Sequence, residues 1–156
     1  MKVGVVAVGR PKRAFAAVIA DYESRAARYF SFEATEVKEQ SARSGGTSQR
    51  VQEEEGQRLL ARVVDGTQVV ALHPDGVQWT SERLAAYLGQ LGLDGAPGAT
   101  FLIGGAYGLS REVLASAHHK LSLSALTMPH DIARLVLAEQ LYRSGTILRN
   151  EPYHKG

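Results

Sequence analysis

Short apolar runs alternate with helical patterns along the whole chain. The runs KVGVVAV (residues 2–8), FEATEV (32–37), TQVVAL (67–72), TFLI (100–103) and LSLSALTM (121–128) each predict a strand, and the last also includes a loop. Between these runs, apolar residues recur at spacings of three and four, which is typical of helices that bury one face. The alternation predicts an α/β domain with a mostly parallel sheet flanked by helices.

The helical segments are defined by their apolar faces and by residues that can cap them. Thr80 or Ser81 is expected to cap the third helix, Ser110 to start a short helix, and Asp131 to open the last one. The apolar positions of the four longer helical segments are Phe15, Val18, Ile19, Tyr22 and Ala26; Val51, Leu59, Leu60, Val63 and Val64; Leu84, Ala85, Leu88 and Leu91; and Leu135, Val136, Ala138, Leu141 and Tyr142.

Polar segments interrupt this pattern. KEQSARSGGTSQ, residues 38–49, is the best candidate for a surface loop, and the sequence PDG at residues 74–76 is expected to end the third strand. The three glutamates at residues 53–55 fill most of one helical turn. A solvated helix face explains them better than a metal or acid-base cluster.

Length and composition favour a single cytoplasmic domain over residues 1–156. The chain has no cysteine, which excludes disulfides, a thiolate zinc site and a cysteine nucleophile, and fits a reducing compartment. Its longest apolar runs, such as VGVVAV, are far shorter than the roughly 20 residues of a membrane helix, and no signal peptide is evident.

The net charge is +2, and the basic excess in residues 1–50 is offset by an acidic excess in residues 51–100. That balance permits an RNA partner without indicating one.

The glycine loop FLIGGAYGLS, residues 101–110, does not match the common phosphate loops. A dinucleotide fold needs G-x-G-x-x-G after an early strand and an acidic residue about 20 positions on, and a Walker loop needs Gly-Lys-Ser/Thr. Two interpretations stay open. In the first, the absence of side chains lets a ligand approach and hydrogen-bond the main-chain groups. In the second, the loop is a tight turn in which Gly104, Gly105 and Gly108 take positive φ. In parallel sheets ligands bind beyond the carboxyl ends of strands. Leu72, the Gly104 loop and residues 127–130 therefore share one rim if their strands are neighbours.

Several longer motifs resemble a known family. LIGGAYGLS, LSLSALTMPHDIARLVLAEQLYRSGTI and the terminal NEPYHKG, together with the start MKVGVVAVGR, are similar in order and spacing to the bacterial large-subunit (23S) rRNA pseudouridine-N3-methyltransferase family of the SPOUT superfamily. The resemblance covers essentially the whole chain. It implies an α/β fold with a C-terminal trefoil knot, a homodimer, and S-adenosylmethionine as the methyl donor. The implied reaction is methylation of ring nitrogen 3 of a pseudouridine in the assembled ribosome.

The same resemblance implies the residues of the site. Cofactor contacts, largely through the main chain, fall on Leu72, Gly104, Leu123, Ser124, Ala125, Leu126, Thr127 and Met128. Catalysis falls on the tail of the partner subunit, where His154 is expected to accept a proton near neutral pH and Tyr153 to stack on or hydrogen-bond the base. A solvated, disordered end is the alternative for that tail.

Two arginines of the last predicted helix are candidates for RNA contacts. Arg134 is assigned to RNA or to the dimer, against simple pairing with Asp131, and Arg143 is assigned to RNA phosphate, against a merely solvated side chain. His118 and His119 adjoin on a predicted short helix, where consecutive side chains point apart, so no metal site is expected.

The sequence departs from the family at several positions. Ala106 and Tyr107 replace a Pro-Glu pair, and His73 stands where an acidic residue often follows the strand, a polar contact that Asp75 is a candidate to supply. Ser144 and Gly145 are expected to mark the helix end and free the tail, since glycine costs about 1 kcal/mol relative to alanine.

Two alternative functions stay open. One is a SPOUT methyltransferase for another RNA nucleotide, and the other is a non-catalytic dimer that binds ribosomes. A nicotinamide-dependent oxidoreductase is disfavoured by the spacing of the glycine loop.

Overall fold

The computed structural model describes residues 1–42 and 46–156. The elements alternate in the order β1 (Lys2–Val8), α1 (Arg13–Ala26), β2 (Ser31–Val37), α2 (Ser48–Leu60), β3 (Gln68–Gln78), α3 (Ser81–Leu93), β4 (Gly98–Ile103), α4 (Arg111–Ser116), β5 (His119–Ser122) and α5 (His130–Leu148). The strands form one sheet in the order β2-β1-β4-β3-β5, and all of their pairings are parallel. The predicted α/β class is confirmed, whereas the trefoil knot stays a prediction. Of the predicted loop at residues 38–49, positions 43–45 lie outside the described residues.

Helices cover both faces of the sheet. Successive side chains of each strand point to opposite faces, so one strand contributes to two cores. On one face Val3 and Val5 of β1 belong to a core that includes residues of α1, α3 and α5. On the other face Val6 and Val8 pack in a second core with residues of α2 and α4. None of the described helices combines the length and the apolar character that crossing a membrane requires.

The third strand does not end where the sequence predicts. β3 continues through Pro74 and Gly76 to Gln78, and its pairing with β5 shifts register so that both Leu72 and Val77 pair with Leu121. A Cβ on Gly76 would lie 2.6 Å from the carbonyl carbon of Lys120, so only glycine allows this approach. The PDG sequence interrupts the strand without terminating it.

Helix α3 agrees with its predicted pattern. All four predicted apolar positions, Leu84, Ala85, Leu88 and Leu91, are buried. The side chain of Thr80 caps the helix by accepting a hydrogen bond from the N–H of Arg83 at 3.1 Å. The cap at Ser110 is confirmed in the same way for α4, where its hydroxyl accepts from the N–H of Val113.

Two predicted helix faces are only partly correct. In α1, Ile19 and Ala26 are buried, but Val18 is 37% exposed. In α5, Leu137 is fully buried although the pattern assigned the core to Leu135 and Val136, which are half-buried.

The last helix also continues past its predicted end. Ser144 and Gly145 are buried within α5, which extends to Leu148. Gly145 lies against the ring of Tyr29, where any Cβ would overlap the ring. The glycine therefore serves close packing between helix α5 and the segment that follows α1, and it does not mark a helix end.

Candidate functional site

A cleft of about 400 Å³ opens at the carboxyl ends of β4 and β5, beside the register shift of β3 that lies between them. These strands are neighbours in the sheet, so the irregular part of β3 and the loops after β4 and β5 meet at one rim. The loop after β4 contributes Gly104 and Gly105, and α5 contributes His130 and Ala133 at its first turn. The volume falls within the range of about 300 to 1,000 Å³ that is usual for small-molecule sites.

Nearly all residues predicted to contact the cofactor line this cleft. Those that do are Leu72, Gly104, Leu123, Ser124, Leu126, Thr127 and Met128, whereas Ala125 is exposed outside its lining. The loop after β5 is held by its own serines, because Ser124 Oγ accepts from the N–H of Leu126 at 2.9 Å and Ser122 Oγ donates to the carbonyl of Ser124 at 2.9 Å. The fold thus brings these residues together, and their cofactor role stays a prediction.

The glycine loop lacks side chains at Gly104 and Gly105 chiefly because its backbone packs closely against neighbouring atoms. Only Gly108 has a positive φ, of 80°, so the expectation of positive φ at Gly104 and Gly105 is wrong. A Cβ on Gly104 would lie 2.9 Å from the carbonyl carbon of Gly108, because the loop folds back on itself. A Cβ on Gly105 would lie 2.9 Å from Oε1 of Glu55. The backbone approaches itself and its support too closely for side chains.

Helix α2 supports this loop from behind. The side-chain amide of Gln52 donates to the carbonyl of Tyr107, and Gly56 leaves space for the hydroxyl of Ser110. Between them, Glu55 is 3% exposed, so the expectation of a solvated face is wrong for this residue. Its Oε2 accepts from the N–H of Gln40 at 3.1 Å. Burial raises the pKa of the Glu55 carboxyl.

The carboxyl-terminal segment packs on α3 and α5. The Tyr153 hydroxyl donates to Glu139 at 2.8 Å, and its ring lies 4.6 Å from the ring of Tyr142. Burial and this hydrogen bond raise the pKa of Tyr153, so its hydroxyl stays protonated and acts as a donor. The alternative of a disordered, solvated tail is wrong for Tyr153, which is half-buried.

His154 is held by contacts at both ring nitrogens. A guanidinium is only a donor, so Nδ1 of His154 accepts from Arg143 at 3.1 Å. The ring proton is then on Nε2, which donates to Glu82 at 2.7 Å. That contact holds the pKa of Glu82 below its ordinary value.

Glu139 is a residue that the sequence pattern did not identify. It accepts from the guanidinium of Arg143 at 2.9 Å as well as from Tyr153, and so links helix α5 to the tail. Glu139 and Arg143 are four residues apart on one helix, a spacing that favours an ion pair. That spacing is the signal in the sequence that could have identified Glu139.

Comparisons with known proteins decide the family. A family model described as "Predicted SPOUT methyltransferase" matches residues 1–154. The chain belongs to the SPOUT methyltransferase family. The resemblance predicted from the sequence motifs is therefore confirmed.

This SPOUT methyltransferase is similar over its whole length to curated relatives named ribosomal RNA large subunit methyltransferase H. It is 46% identical over 156 residues to that of Gemmatimonas aurantiaca and 44% identical over 156 residues to that of an Anaeromyxobacter species. Each match covers 99% of the chain and 100% of the relative. Its fold is similar to the solved structure of a probable methylase family protein from Haemophilus influenzae, with a TM-score of 0.54 and 12% identity, over 99% of this chain and 70% of that one.

His73 is the polar side chain at the β3 rim of the SPOUT cleft. It lines the cleft, and its Nδ1 accepts from the N–H of Asp75 at 3.1 Å. Since Nδ1 is the acceptor, the neutral ring carries its proton on Nε2. Asp75 is exposed and lies outside the lining of the cleft, so the structure does not favour Asp75 as a substitute for the missing acidic residue.

Arg134 of this methyltransferase is buried and already paired. Its guanidinium donates to Glu23 of α1 at 3.0 and 3.1 Å and to Glu36 of β2 at 2.6 Å. The alternative of pairing with Asp131 is wrong, because Asp131 instead accepts from the N–H groups of Lys12 and Ile132. An RNA contact by Arg134 stays a prediction, and it would have to displace these carboxylates. Arg143 is half-buried and engaged with Glu139 and His154.

The Arg134 cluster is expected to stabilise the fold substantially. We expect Arg134→Met to lower the free energy of unfolding by about 3 kcal/mol, because it leaves Glu23, whose side chain is only 12% exposed, without its partner. The value lies at the low end for buried pairs because the Glu36 side chain is 33% exposed. Urea unfolding measures the loss. Arg50→Met is the control, since its exposed pair with Glu54 should contribute less than about 1 kcal/mol. Equal losses in the two variants would contradict the assignment.

The histidine pair also differs from its prediction. α4 ends at Ser116, and His119 begins β5, so the two histidines do not share a helix. Nδ1 of His118 accepts from the N–H of Val69 at 2.9 Å, and His119 packs against the ring of Trp79 at 5.3 Å. The described residues contain no group of three or more side chains placed to hold a metal ion.

Proposed function

We propose that this chain transfers a methyl group from S-adenosylmethionine to ring nitrogen 3 of a pseudouridine in 23S rRNA, acting in the cytoplasm on the assembled ribosome. The observation that carries the proposal is the glycine-lined cleft at the carboxyl edge of the sheet in a SPOUT methyltransferase. The name of its full-length relatives supports the large ribosomal subunit as the target.

The cleft fits a methyl donor that carries an adenine, a ribose and an amino-acid group. Its lining combines apolar side chains, such as Leu72, Leu123 and Met128, with exposed main-chain groups of the loops after β4 and β5. Main-chain amides and carbonyls can recognise an adenine edge without help from side chains. Leu72, Gly104 and the loop after β5 would hold the donor.

Methyl transfer depends more on positioning the donor and the acceptor than on covalent catalysis by side chains. The donor, when bound, supplies an electrophilic methyl group. Alignment of such a group with its acceptor can contribute roughly 7 to 11 kcal/mol. The acceptor nitrogen carries a proton, so a base or a group that stabilises charge on the ring carbonyls helps the reaction. A placed general base contributes about 100-fold to 10,000-fold. The ring of Tyr153 can stack on the base, and its protonated hydroxyl can donate a hydrogen bond to a carbonyl of the base. The guanidinium of Arg143 is the positively charged group near the tail that can stabilise negative charge on the ring carbonyls.

His154 is the proposed base, and it must change partners to act. Its Nδ1 is occupied by Arg143 and its Nε2 faces Glu82. Because Nε2 carries the proton in this arrangement, the ring can accept a proton only after it releases Arg143 or changes tautomer. Binding of RNA near Arg143, whose guanidinium would then turn to phosphate, is an event that frees Nδ1.

The position of the tail supports a site completed by a second subunit. His130 lies at the cleft, and His154 contacts Arg143, which is 13 residues further along α5. At 1.5 Å per residue, that separation is about 20 Å along the helix axis. The tail thus contacts α5 away from the end of the helix that lies at the cleft, and neither Tyr153 nor His154 lines the cleft of its own chain. A homodimer can place the tail at the cleft of the partner.

Labelled S-adenosylmethionine tests the proposed function. We expect label to enter RNA when the enzyme is given unmodified assembled ribosomes, and not when it is given separated subunits or naked RNA. Mapping of the labelled base should identify one pseudouridine. Label at a different nucleotide would show another RNA specificity, and ribosome binding without transfer would show a non-catalytic partner; either result would overturn the proposal.

A further inference from the structure

Glu55 is a buried carboxyl group to which the proposed chemistry gives no role. It lies directly under the glycine loop, with Oε1 2.9 Å from the position that a Cβ on Gly105 would take. Among the described residues Oε1 has no hydrogen-bond partner, and Oε2 has only the N–H of Gln40. A buried oxygen without a hydrogen-bond partner costs about 1 to 3 kcal/mol, and more when it is charged. A contribution of Glu55 to the glycine loop above it would offset that cost.

The surroundings of Glu55 favour its uncharged form. Glu39, in the connection from β2 to α2, adds negative charge near Glu55, while Arg58 on α2 and His130 on α5 oppose its effect on the pKa. The Arg58 guanidinium donates to the carbonyl of Lys38 and to the side chain of Gln40. Burial is the largest influence, and it raises the pKa of the carboxyl.

We propose that Glu55 is a positioning residue whose uncharged carboxyl supports Gly105 from below, and that methyl-donor affinity therefore depends on its protonation. Glu55 does not line the cleft, so it acts through the loop. Ionisation would place a charge with one hydrogen-bond donor in a dry space. The carboxylate would then draw in water or move away from Gly105, and the loop would lose its support. The inference rests on the proposed function only where it concerns the donor.

The sign of the pH effect follows from the raised pKa. The folded protein holds this proton more tightly than the unfolded chain does, so the stabilisation is complete at low pH and is lost as pH rises through the raised pKa. We therefore expect donor affinity to fall as pH rises. The protection factors of the amides of residues 104–109, which are exchange rates corrected for the intrinsic base-catalysed rise with pH, should fall as well. The exchange measurement needs no donor, so it judges the inference even if S-adenosylmethionine does not bind.

Three variants test the proposal over a pH series that starts near the ordinary glutamate pKa of about 4.3 and rises from there, since the pKa of Glu55 is raised. Glu55→Gln keeps the shape and cannot ionise, so we expect near-normal donor affinity by calorimetry and no pH dependence of the loop protection factors. Glu55→Ala should weaken donor binding about tenfold and quicken loop exchange at every pH. The control Glu54→Gln, on the exposed side of the same helix, should match the wild type.

The outcomes separate positioning from plain stability. A Glu55→Gln protein that keeps the wild-type pH dependence of the loop protection factors would overturn the proposal, and so would a Glu55→Ala protein that loses thermal stability with unchanged loop protection and donor affinity. Should Glu55→Ala fail to fold, the pH profile of Glu55→Gln still decides. A wild-type protein that binds no donor but shows the expected exchange profile would refute the proposed function and leave Glu55 as the support of the loop.

Discussion

Replacing Gly104 by alanine is expected to lower methyl transfer by about 100-fold, since a misplacement of the order of 1 Å in a site can have this effect. The new Cβ would lie 2.9 Å from the carbonyl carbon of Gly108 and 3.1 Å from its oxygen. Both are backbone atoms that cannot rotate away, so the loop itself must move. Because the loop forms one wall of the cleft, we also expect weaker binding of S-adenosylmethionine in calorimetry.

The control for Gly104→Ala is the same substitution at a glycine with space around it. In α3, a Cβ on Gly92 would meet only the Cε atom of Met1, at 3.9 Å. Gly92→Ala should leave transfer unchanged and raise the free energy of unfolding by about 0.5 to 1 kcal/mol, because alanine favours the helix. Equal activity of the two variants would show that the tight packing of the glycine loop has no part in function.

The architecture could be predicted from the sequence because its elements are strongly periodic. β1 is apolar after Lys2 and β4 is apolar except for Thr100, and the face of α3 repeats Leu84, Ala85, Leu88 and Leu91 without ambiguity. α5 could not be predicted so well, because apolar residues occur around much of its circumference. Both Leu135 and Leu137 are plausible core positions by period alone, and only the contacts with α1 and α3 decide between them.

The place of the cleft could also be predicted, because the rule for parallel sheets depends on strand order alone. The charged contacts could not. Arg134 meets Glu23 and Glu36 across sequence separations of 111 and 98 residues, and no local pattern records such pairs. The burial of Glu55 is different, because Glu55 lies four residues from both Val51 and Leu59 on the buried face of α2, so a helical projection already places it toward the core.

His154→Ala is expected to lower turnover by about 100-fold to 10,000-fold, the range for a placed general base. The variant should bind S-adenosylmethionine nearly as the wild type does, because His154 does not line the cleft of its own chain. Single-turnover kinetics on ribosomes and calorimetry with the donor measure the two quantities. An unchanged rate would remove His154 from the mechanism, and a matching loss of donor affinity would place it at the donor site.

A heterodimer of the two defective proteins tests whether the tail acts on the partner. One subunit carries Gly104→Ala with an intact tail, the other His154→Ala with an intact cleft, and two affinity tags isolate the mixed dimer. If each cleft uses the tail of the other subunit, one of the two sites contains only intact parts, and the mixed dimer should recover about half of the wild-type rate. If each cleft used its own tail, every site would keep one defect, and the mixed dimer would be no more active than its parents. Recovery therefore requires a composite site, and its absence would place tail and cleft on the same chain.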